Sequence, residues 1–269
     1  MQPVVEAARA KINLALHVLG RRADGYHELD SIVAFADLGD RLTVAPASAN
    51  ALLVEGPFAA DVPADEGNII WKAWAHVRGL LDVPFVSVIL EKNLPVASGI
   101  GGGSADAAAL VRALLRLAGA RLSEAQVAGL AAIGADVPVC FVGKPCRMEG
   151  IGEKISVLSE QLPPALVLVN PLAPCGTAEV FKAMGLKPGE VLATRADLRN
   201  DMTAAAVQVQ PRIADVLSAL EKTALWPVRM SGSGASCFGI ANSLEEAEAV
   251  AAKLSAAHPA WWVKAARLG

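Results

Sequence analysis

Four glycines in five residues, Gly99-Ile100-Gly101-Gly102-Gly103, constrain this chain more than any other feature. They follow Leu94-Pro95-Val96-Ala97-Ser98 and run directly into Ser104-Ala105-Asp106-Ala107-Ala108-Ala109-Leu110-Val111-Arg112-Ala113-Leu114-Leu115. Glycines let backbone N–H groups approach an anion with no Cβ in the way. The segment after them predicts a helix, with Ser104 as cap, Asp106 in the first turn and Gly119 past the end. It is apolar nearly all round, so the helix is expected to be buried. Its first N–H groups and the positive end of its dipole complete a cradle for a di- or triphosphate. A flexible linker explains this combination poorly.

Two familiar phosphate loops do not fit. The P-loop ends in Gly-Lys-Ser/Thr, and no Lys follows these glycines. The dinucleotide pattern G-x-G-x-x-G also breaks, because Ser104 stands where its last glycine belongs. That disfavours a nicotinamide oxidoreductase.

Two further clusters carry polar groups at suggestive spacing. Met230-Ser231-Gly232-Ser233-Gly234-Ala235-Ser236-Cys237-Phe238 fits either a tight hairpin or a second glycine loop that closes over a nucleotide or substrate. Lys11 and Asn13 alternate with apolar residues in Ala10–Leu16, so they share one face of a strand. Taken alone, such a pair can simply face solvent. Gly25-Tyr26-His27-Glu28-Leu29 follows, and Asp136 sits in Gly134-Ala135-Asp136-Val137-Pro138. His27 alone could be structural, and Asp136 alone could be a turn residue at a helix end.

Composition excludes several classes. The net charge of −3 with no Lys/Arg block offers no electrostatic footprint for nucleic acid or an anionic membrane. About half of the 269 residues are apolar, enough for a large core or two modest domains. Charges, glycines or prolines interrupt every apolar run before the ~20 residues a membrane span needs. The start, Met1–Leu14, lacks the basic and apolar regions of a signal peptide, so a cytoplasmic protein is expected. Cys140, Cys146, Cys175 and Cys237 form no C-x-x-C and have no His at metal-ligand spacing, so neither disulfides nor structural zinc are expected.

Strand-like and helix-like segments alternate. Leu42–Val44 and Leu52–Val54 read as short strands around a turn at Pro46–Asn50. Asn68 caps a helix running through Val77, and the end of Pro84–Glu91 reads as a strand. Ser123-Glu124-Ala125-Gln126 fits a capping box for a helix ended by Gly134, with Pro138 just beyond. Ala165–Val169 reads as a buried strand, Leu244–Ala257 as a helix and Trp261–Val263 as a closing strand. The Pro163-Pro164 break suggests a boundary near Leu158–Pro164. This is a mixed α and β chain.

Together these segments resemble the galactokinase, homoserine kinase, mevalonate kinase and phosphomevalonate kinase family. Pro95–Ala107 is similar to its middle motif. Lys11–Leu14, Gly20–Leu29, Gly101–Ser104, Gly134–Pro138, Gly150–Glu153, Arg199–Met202 and Ser231–Gly234 occur in the expected order over nearly the whole chain. Arg21-Arg22-Ala23-Asp24-Gly25-Tyr26-His27 points within the family to a cytidine-bearing alcohol substrate of the non-mevalonate isoprenoid pathway.

The resemblance implies an α+β fold of two domains, residues 1–158 for nucleotide binding and catalysis and 159–269 as a second α+β domain. The last strand is allowed to return to the first domain, and the active site is expected in the cleft between them. It implies ATP as donor, with Mg²⁺ carried on the nucleotide and no protein carboxylate identified as its ligand. Lys11 and Asp136 are the implied catalytic pair. Asn68, Lys92, Pro95, Val96, Ala97, Ser98, Gly99, Ile100, Gly101, Gly102, Gly103, Ser104 and Ala105 are implied for ATP, with Asn68 and Lys92 toward the adenosine and Ser104 near Mg²⁺. Asn13, Tyr26, His27, Thr177 and Phe181 are implied for the substrate, with Tyr26 and Phe181 stacking on the base. The partner is a small molecule, not nucleic acid or membrane, bound by a monomer or weak homodimer. A kinase for another alcohol would need the glycine loop but not Tyr26-His27. A silent binding regulator is favoured by loss of Lys11 or Asp136, and both are present.

Overall fold

The computed structural model describes residues 2–159, 162–192 and 198–269. Residues 160 and 161, inside the expected boundary, lie outside the described residues. The first half of the chain carries β1 (Val4–Arg21), β2 (His27–Pro46), β3 (Ala51–Glu55), α1 (Ile69–Arg78), β4 (Val86–Glu91), α2 (Gly102–Ala118), α3 (Glu124–Gly129) and α4 (Val137–Val142). Next come β5 (Cys146–Gly150), β6 (Lys154–Val157), β7 (Ala165–Asn170), α5 (Thr177–Met184) and α6 (Thr203–Val209). The chain closes with α7 (Arg212–Glu221), β8 (Val228–Met230), β9 (Cys237–Ala241), α8 (Leu244–Ala257) and β10 (Trp262–Arg267). Two compact units result, each built from discontinuous stretches. One takes the chain up to residue 10 with 39–96 and 101–143, and the other takes 11–38, 97–100 and 144–269.

In the first unit, the end of β2 pairs antiparallel with β4 from Arg41↔Glu91 to Pro46↔Val86. Leu42–Val44 and Leu52–Val54 are both strands, but they are not partners across their turn. β4 lies between them, and β3 runs parallel to it, Leu52↔Val88 and Val54↔Leu90. A parallel pair needs a crossover, and α1 supplies it. Asn68 Oδ1 accepts the Ile70 N–H at 3.0 Å to start α1, and Ile70, Ala73 and Val77 form its buried stripe.

Helix α2 packs against α1 and α4. It buries Ala105–Val111 and Ala113–Leu115, as its apolar circumference requires. It begins two residues before Ser104. Gly101, with φ 67°, is the N-cap and Ser104 lies inside the helix. Asp106 is correspondingly beyond the first turn and buried. The capping box at Ser123 and Gln126 is present. Its helix ends at Gly129, and a short 3₁₀ turn over Leu130–Ala132 follows, so Gly134 belongs to the turn before α4 rather than terminating α3.

In the second unit, the start of β2 pairs antiparallel with β5, and β5 with β6. A separate antiparallel sheet runs β10-β7-β9-β8. Every residue of β7 is buried, as its continuous apolar run predicts. Val167, Val169, Ile213, Val216, Leu220, Ala247 and Leu254 share its core. The closing strand is longer than expected and pairs with β7 from Trp262↔Asn170 to Arg267↔Ala165. All four cysteines are buried and free. Among the described residues no helix is long and apolar enough to cross a membrane.

Candidate active site

The second unit holds residues 97–100 of the glycine run against the β8–β9 hairpin. Met230 pairs with Cys237, and the Ser231 N–H donates to the Ser236 carbonyl at 2.9 Å, so the second glycine cluster is a tight hairpin. It also braces the loop. Ser231 Oγ donates to the Gly99 carbonyl at 3.1 Å, and the Ser236 N–H donates to the Ser98 carbonyl at 3.0 Å. Gly99 has φ 75°, and a Cβ there would lie 2.5 Å from Gly234 O and 2.6 Å from Ser231 O. Neighbouring backbone alone therefore demands glycine at this position. Asn200 Nδ2 stiffens the hairpin through the carbonyls of Met230, at 2.9 Å, and Gly232, at 2.8 Å. Ser98 and Ile100 are buried, while Val96 and Ala97 are exposed.

Lys11 and Asn13 do share a face of β1, and neither points to solvent: they are 4% and 1% exposed. The Lys11 N–H donates to the Ile100 carbonyl at 2.9 Å. The Asn13 N–H donates to Ser231 Oγ at 3.1 Å, and its Nδ2 to Ser31 Oγ at 2.7 Å. Strand, glycine loop and hairpin are thus tied together residue by residue. Burial pushes the nearby Cys146 thiol up to about 11, against the opposing charge of Lys11.

The aromatic residues gather in the same unit. His27 stacks on Phe181, with ring centroids 4.1 Å apart and planes 17° apart. Tyr26 next to it is 61% exposed. The turn that presents Tyr26 is held by its own chain. Arg21 Nε donates to Gly25 O at 3.2 Å, the Arg22 N–H to Tyr26 O at 2.7 Å and the Tyr26 N–H to Asp24 Oδ1 at 3.2 Å. His27 Nε2 is buried and makes no hydrogen bond with the described residues. Burial first, and then Arg21, lower the pKa of His27, so the ring is neutral with capacity for one donor and one acceptor. Thr177, at the start of α5, shares a hydrogen bond of 2.7 Å with Ser233 Oγ.

In the first unit, the starts of α1 and α2 meet the turn before α4. A Cβ on Gly134 would lie 3.6 Å from Ile69 Cδ1 and 3.7 Å from Ser104 Oγ, and one on Gly103 would lie 3.8 Å from Ile69 Cγ2. Gly103 is exposed, and the leading N–H groups of α2 have no acceptor within the helix. Asp136 is half-buried at the N-cap of α4, and its side chain makes no capping bond there. Asn68 spends its amide inside the protein: Oδ1 caps α1, and Nδ2 donates to Pro63 O at 2.7 Å.

Lys92 is likewise engaged. Its Nζ lies 2.5 Å from Asp40 Oδ2 and 2.7 Å from Asp106 Oδ2, with all three residues buried. Asp40 Oδ1 also takes the N–H groups of Asn93, at 2.6 Å, and Leu94, at 2.8 Å. Burial works against the Lys92 charge, but Asp106 and Asp40 outweigh it and raise its pKa. Asp106 is held well above the usual carboxylate range, by burial above all, with Asp40 adding to it and Lys92 opposing. A Cβ on Gly102 would lie 3.2 Å from Lys92 Nζ, so this cation sits directly beside the start of α2.

Sequence reading missed Asp40, Asp106 and Ser31 as members of this framework, and gave no partners for Ser231 and Asn200. Ser231 and Asn200 stood in motifs already singled out, and Asp106 carried a signal of its own, since a carboxylate in a helix apolar all round must find a partner. Among the described residues no three His, Cys, Asp or Glu side chains are grouped to hold a metal ion.

Comparison with known proteins gives two family matches, the GHMP kinases N terminal domain over residues 68–144 and the GHMP kinases C terminal over residues 187–260. The 4-diphosphocytidyl-2-C-methyl-D-erythritol kinase of Cereibacter sphaeroides is 45% identical, covering 97% of this chain and 98% of that protein. The protein of that name from Paramagnetospirillum magneticum is 48% identical, covering 97% of each. A crystal structure of 4-(cytidine 5'-diphospho)-2C-methyl-D-erythritol kinase superposes with TM-score 0.80 at 31% identity, covering 99% of both chains. Homoserine kinase from Cytophaga hutchinsonii superposes with TM-score 0.71 at 16% identity over 97% of this chain and 93% of its own, a likeness of fold.

Proposed function

The chain belongs to the GHMP kinases, and from that premise we infer that it transfers the γ-phosphoryl group of ATP to the 2-hydroxyl of 4-diphosphocytidyl-2-C-methyl-D-erythritol, a step of non-mevalonate isoprenoid synthesis. Relatives at 42–48% identity over nearly the whole chain are named 4-diphosphocytidyl-2-C-methyl-D-erythritol kinase. The observation that carries the substrate within this site is the aromatic group at Tyr26, His27 and Phe181. An exposed Tyr can stack on a pyrimidine, and the unsatisfied His27 Nε2 can pair with the base edge. Because Phe181 stacks on His27, in this reading the base meets His27 edge-on and takes its stacking from Tyr26, the ring left exposed. Thr177 lies toward the substrate phosphates.

Phosphoryl transfer depends mainly on positioning and charge stabilisation. The exposed start of α2 supplies N–H groups and a positive dipole end for the β- and γ-phosphates. Asp136 takes the hydroxyl proton, and Lys11 offsets the charge that develops on the same oxygen. Where ATP carries Mg²⁺, the Ser104 hydroxyl would be the residue to meet it, and the ion would supply neutralisation of phosphate charge. Asn68 and Lys92, whose side chains are engaged within the protein, shape the adenosine side through the backbone that they hold.

An ADP-release assay with Mg-ATP should give turnover with the cytidyl substrate and none with mevalonate or homoserine. Lys11→Ala and Asp136→Asn should each lower turnover by about 10²-fold or more. Turnover of another alcohol alone would discard the cytidine site and keep the kinase. Near-full turnover in both variants would refute the assigned roles.

A further inference from the structure

The carboxamide of Asn13 has one arrangement compatible with its surroundings. Its Nδ2 lies 2.7 Å from Ser31 Oγ, and Ser31 Oγ lies 2.6 Å from the Ala15 carbonyl oxygen. A hydroxyl carries one proton, and a backbone carbonyl can only accept. The Ser31 proton therefore goes to Ala15, which leaves the hydroxyl as an acceptor toward Asn13. Only the NH₂ end of an amide can face an acceptor, so Oδ1 must face away from Ser31. That oxygen is buried and makes no hydrogen bond with the described residues.

Neither partner has room to rearrange. Ser31 is 1% exposed and paired with Met148 within the sheet. The Asn13 N–H is fixed by Ser231 Oγ, and the Lys11 N–H by the Ile100 carbonyl. A buried carbonyl prepared in this way is an acceptor awaiting a donor. Asn13 shares its strand face with Lys11, which places that acceptor beside the group assigned to the reacting hydroxyl.

We propose that Ser31 is a positioning residue that locks Asn13 as a hydrogen-bond acceptor, and that Asn13 Oδ1 receives a hydroxyl O–H of the substrate's sugar-alcohol part. The proposal rests on the substrate reading above. Ser31 touches no substrate; it acts by denying Asn13 the flipped amide, which would present NH₂ and clash with a donor. A site built to bond a hydroxyl in this way also discriminates against an analogue that lacks it.

The test measures kcat and KM for both substrates in Ser31→Ala, Ser31→Cys, Ser31→Thr, Asn13→Ala and the Ser31→Ala/Asn13→Ala pair. Ser31→Ala should raise KM for the cytidyl substrate about tenfold, the scale of one hydrogen bond to an uncharged group, with KM for ATP unchanged. Ser31→Thr keeps the hydroxyl and should restore the native value. Ser31→Cys, a similar volume with a poor acceptor, should behave like Ser31→Ala and carries the test if the alanine variant fails to fold. In the Asn13→Ala background, Ser31→Ala should add nothing, because Ser31 acts through that amide. Unchanged KM in Ser31→Ala and Ser31→Cys, or multiplied effects in the double variant, would overturn the role of Ser31 while leaving the kinase reading intact. Absence of turnover of the cytidyl substrate by the unaltered chain would overturn the substrate reading, and this proposal with it.

Discussion

Loss of water around the imidazole, and then the charge of Arg21, set the protonation state of His27 below its ordinary value of 6.5. Folding thus favours the neutral ring. The contribution of His27 to stability is in place above the ordinary pKa and is lost as pH falls below it. Phe181, stacked at 4.1 Å, is part of what excludes water. In an NMR titration of the free protein the His27 midpoint should lie below 6.5, and Phe181→Ala should move it back toward that value. A native midpoint at or above 6.5 would show that the stack does not desolvate the ring. Tyr26 and His27 could be singled out together because they stand in one short motif, and the structure places Phe181 on the His27 ring. Ser31 was not legible. A serine in a strand is unremarkable until the fold shows which amide it meets.

The start of α2 shows what an element adds beyond its sequence. Sequence reading places the start at Ser104, the first residue able to cap, because glycine disfavours a helix by roughly 1 kcal/mol relative to alanine. Packing against α1 and the ion group of Lys92, Asp40 and Asp106 override that preference and extend the helix to Gly102. The glycines therefore serve different ends, and alanine substitution should separate them. At Gly99 a Cβ would meet backbone oxygens at 2.5 and 2.6 Å with φ at 75°. Gly99→Ala should cost about 1–3 kcal/mol or more in denaturant unfolding, as strain and overlap both act. At Gly103 the nearest atom is 3.8 Å away. Gly103→Ala should keep or slightly raise stability while raising KM for ATP several-fold, since the new methyl stands where phosphate approaches. Equal stability losses at both sites, or an unchanged KM in Gly103→Ala, would contradict this division.

At the scale of the molecule, α1, α2, α3, α8 and the more apolar strands were legible from periodicity and caps, while α4 to α7, β5, β6 and the assignment of elements to units were not. β1 and β2 each serve both units, and residues 97–100 group with the second unit while 101–105 group with the first. A linear reading can place only a cut in the chain. It does not see that Ser231 and Ser236 hold the loop carbonyls, because those partners lie over 130 residues away. The grouping has a functional consequence. Asp136, assigned to the substrate hydroxyl, falls in the first unit and residues 97–100, assigned to ATP, in the second, but the base-recognising Tyr26, His27 and Phe181 all fall in the second and Gly103 and Ser104, assigned to the phosphates, in the first. Recognition of the two substrates should therefore be separable. Losing one base-stacking aromatic costs about 1–3 kcal/mol, so Tyr26→Ala should raise KM for the cytidyl substrate by about tenfold or more and leave KM for ATP within about twofold. Residues without shared partners act additively, so Tyr26→Ala/Gly103→Ala should show each KM change at its single-variant size. Steady-state kinetics with each substrate varied in turn decides the matter. A Tyr26→Ala variant that weakened ATP as much as the cytidyl substrate would mean that the two sites are coupled, and the division of labour between units would fall.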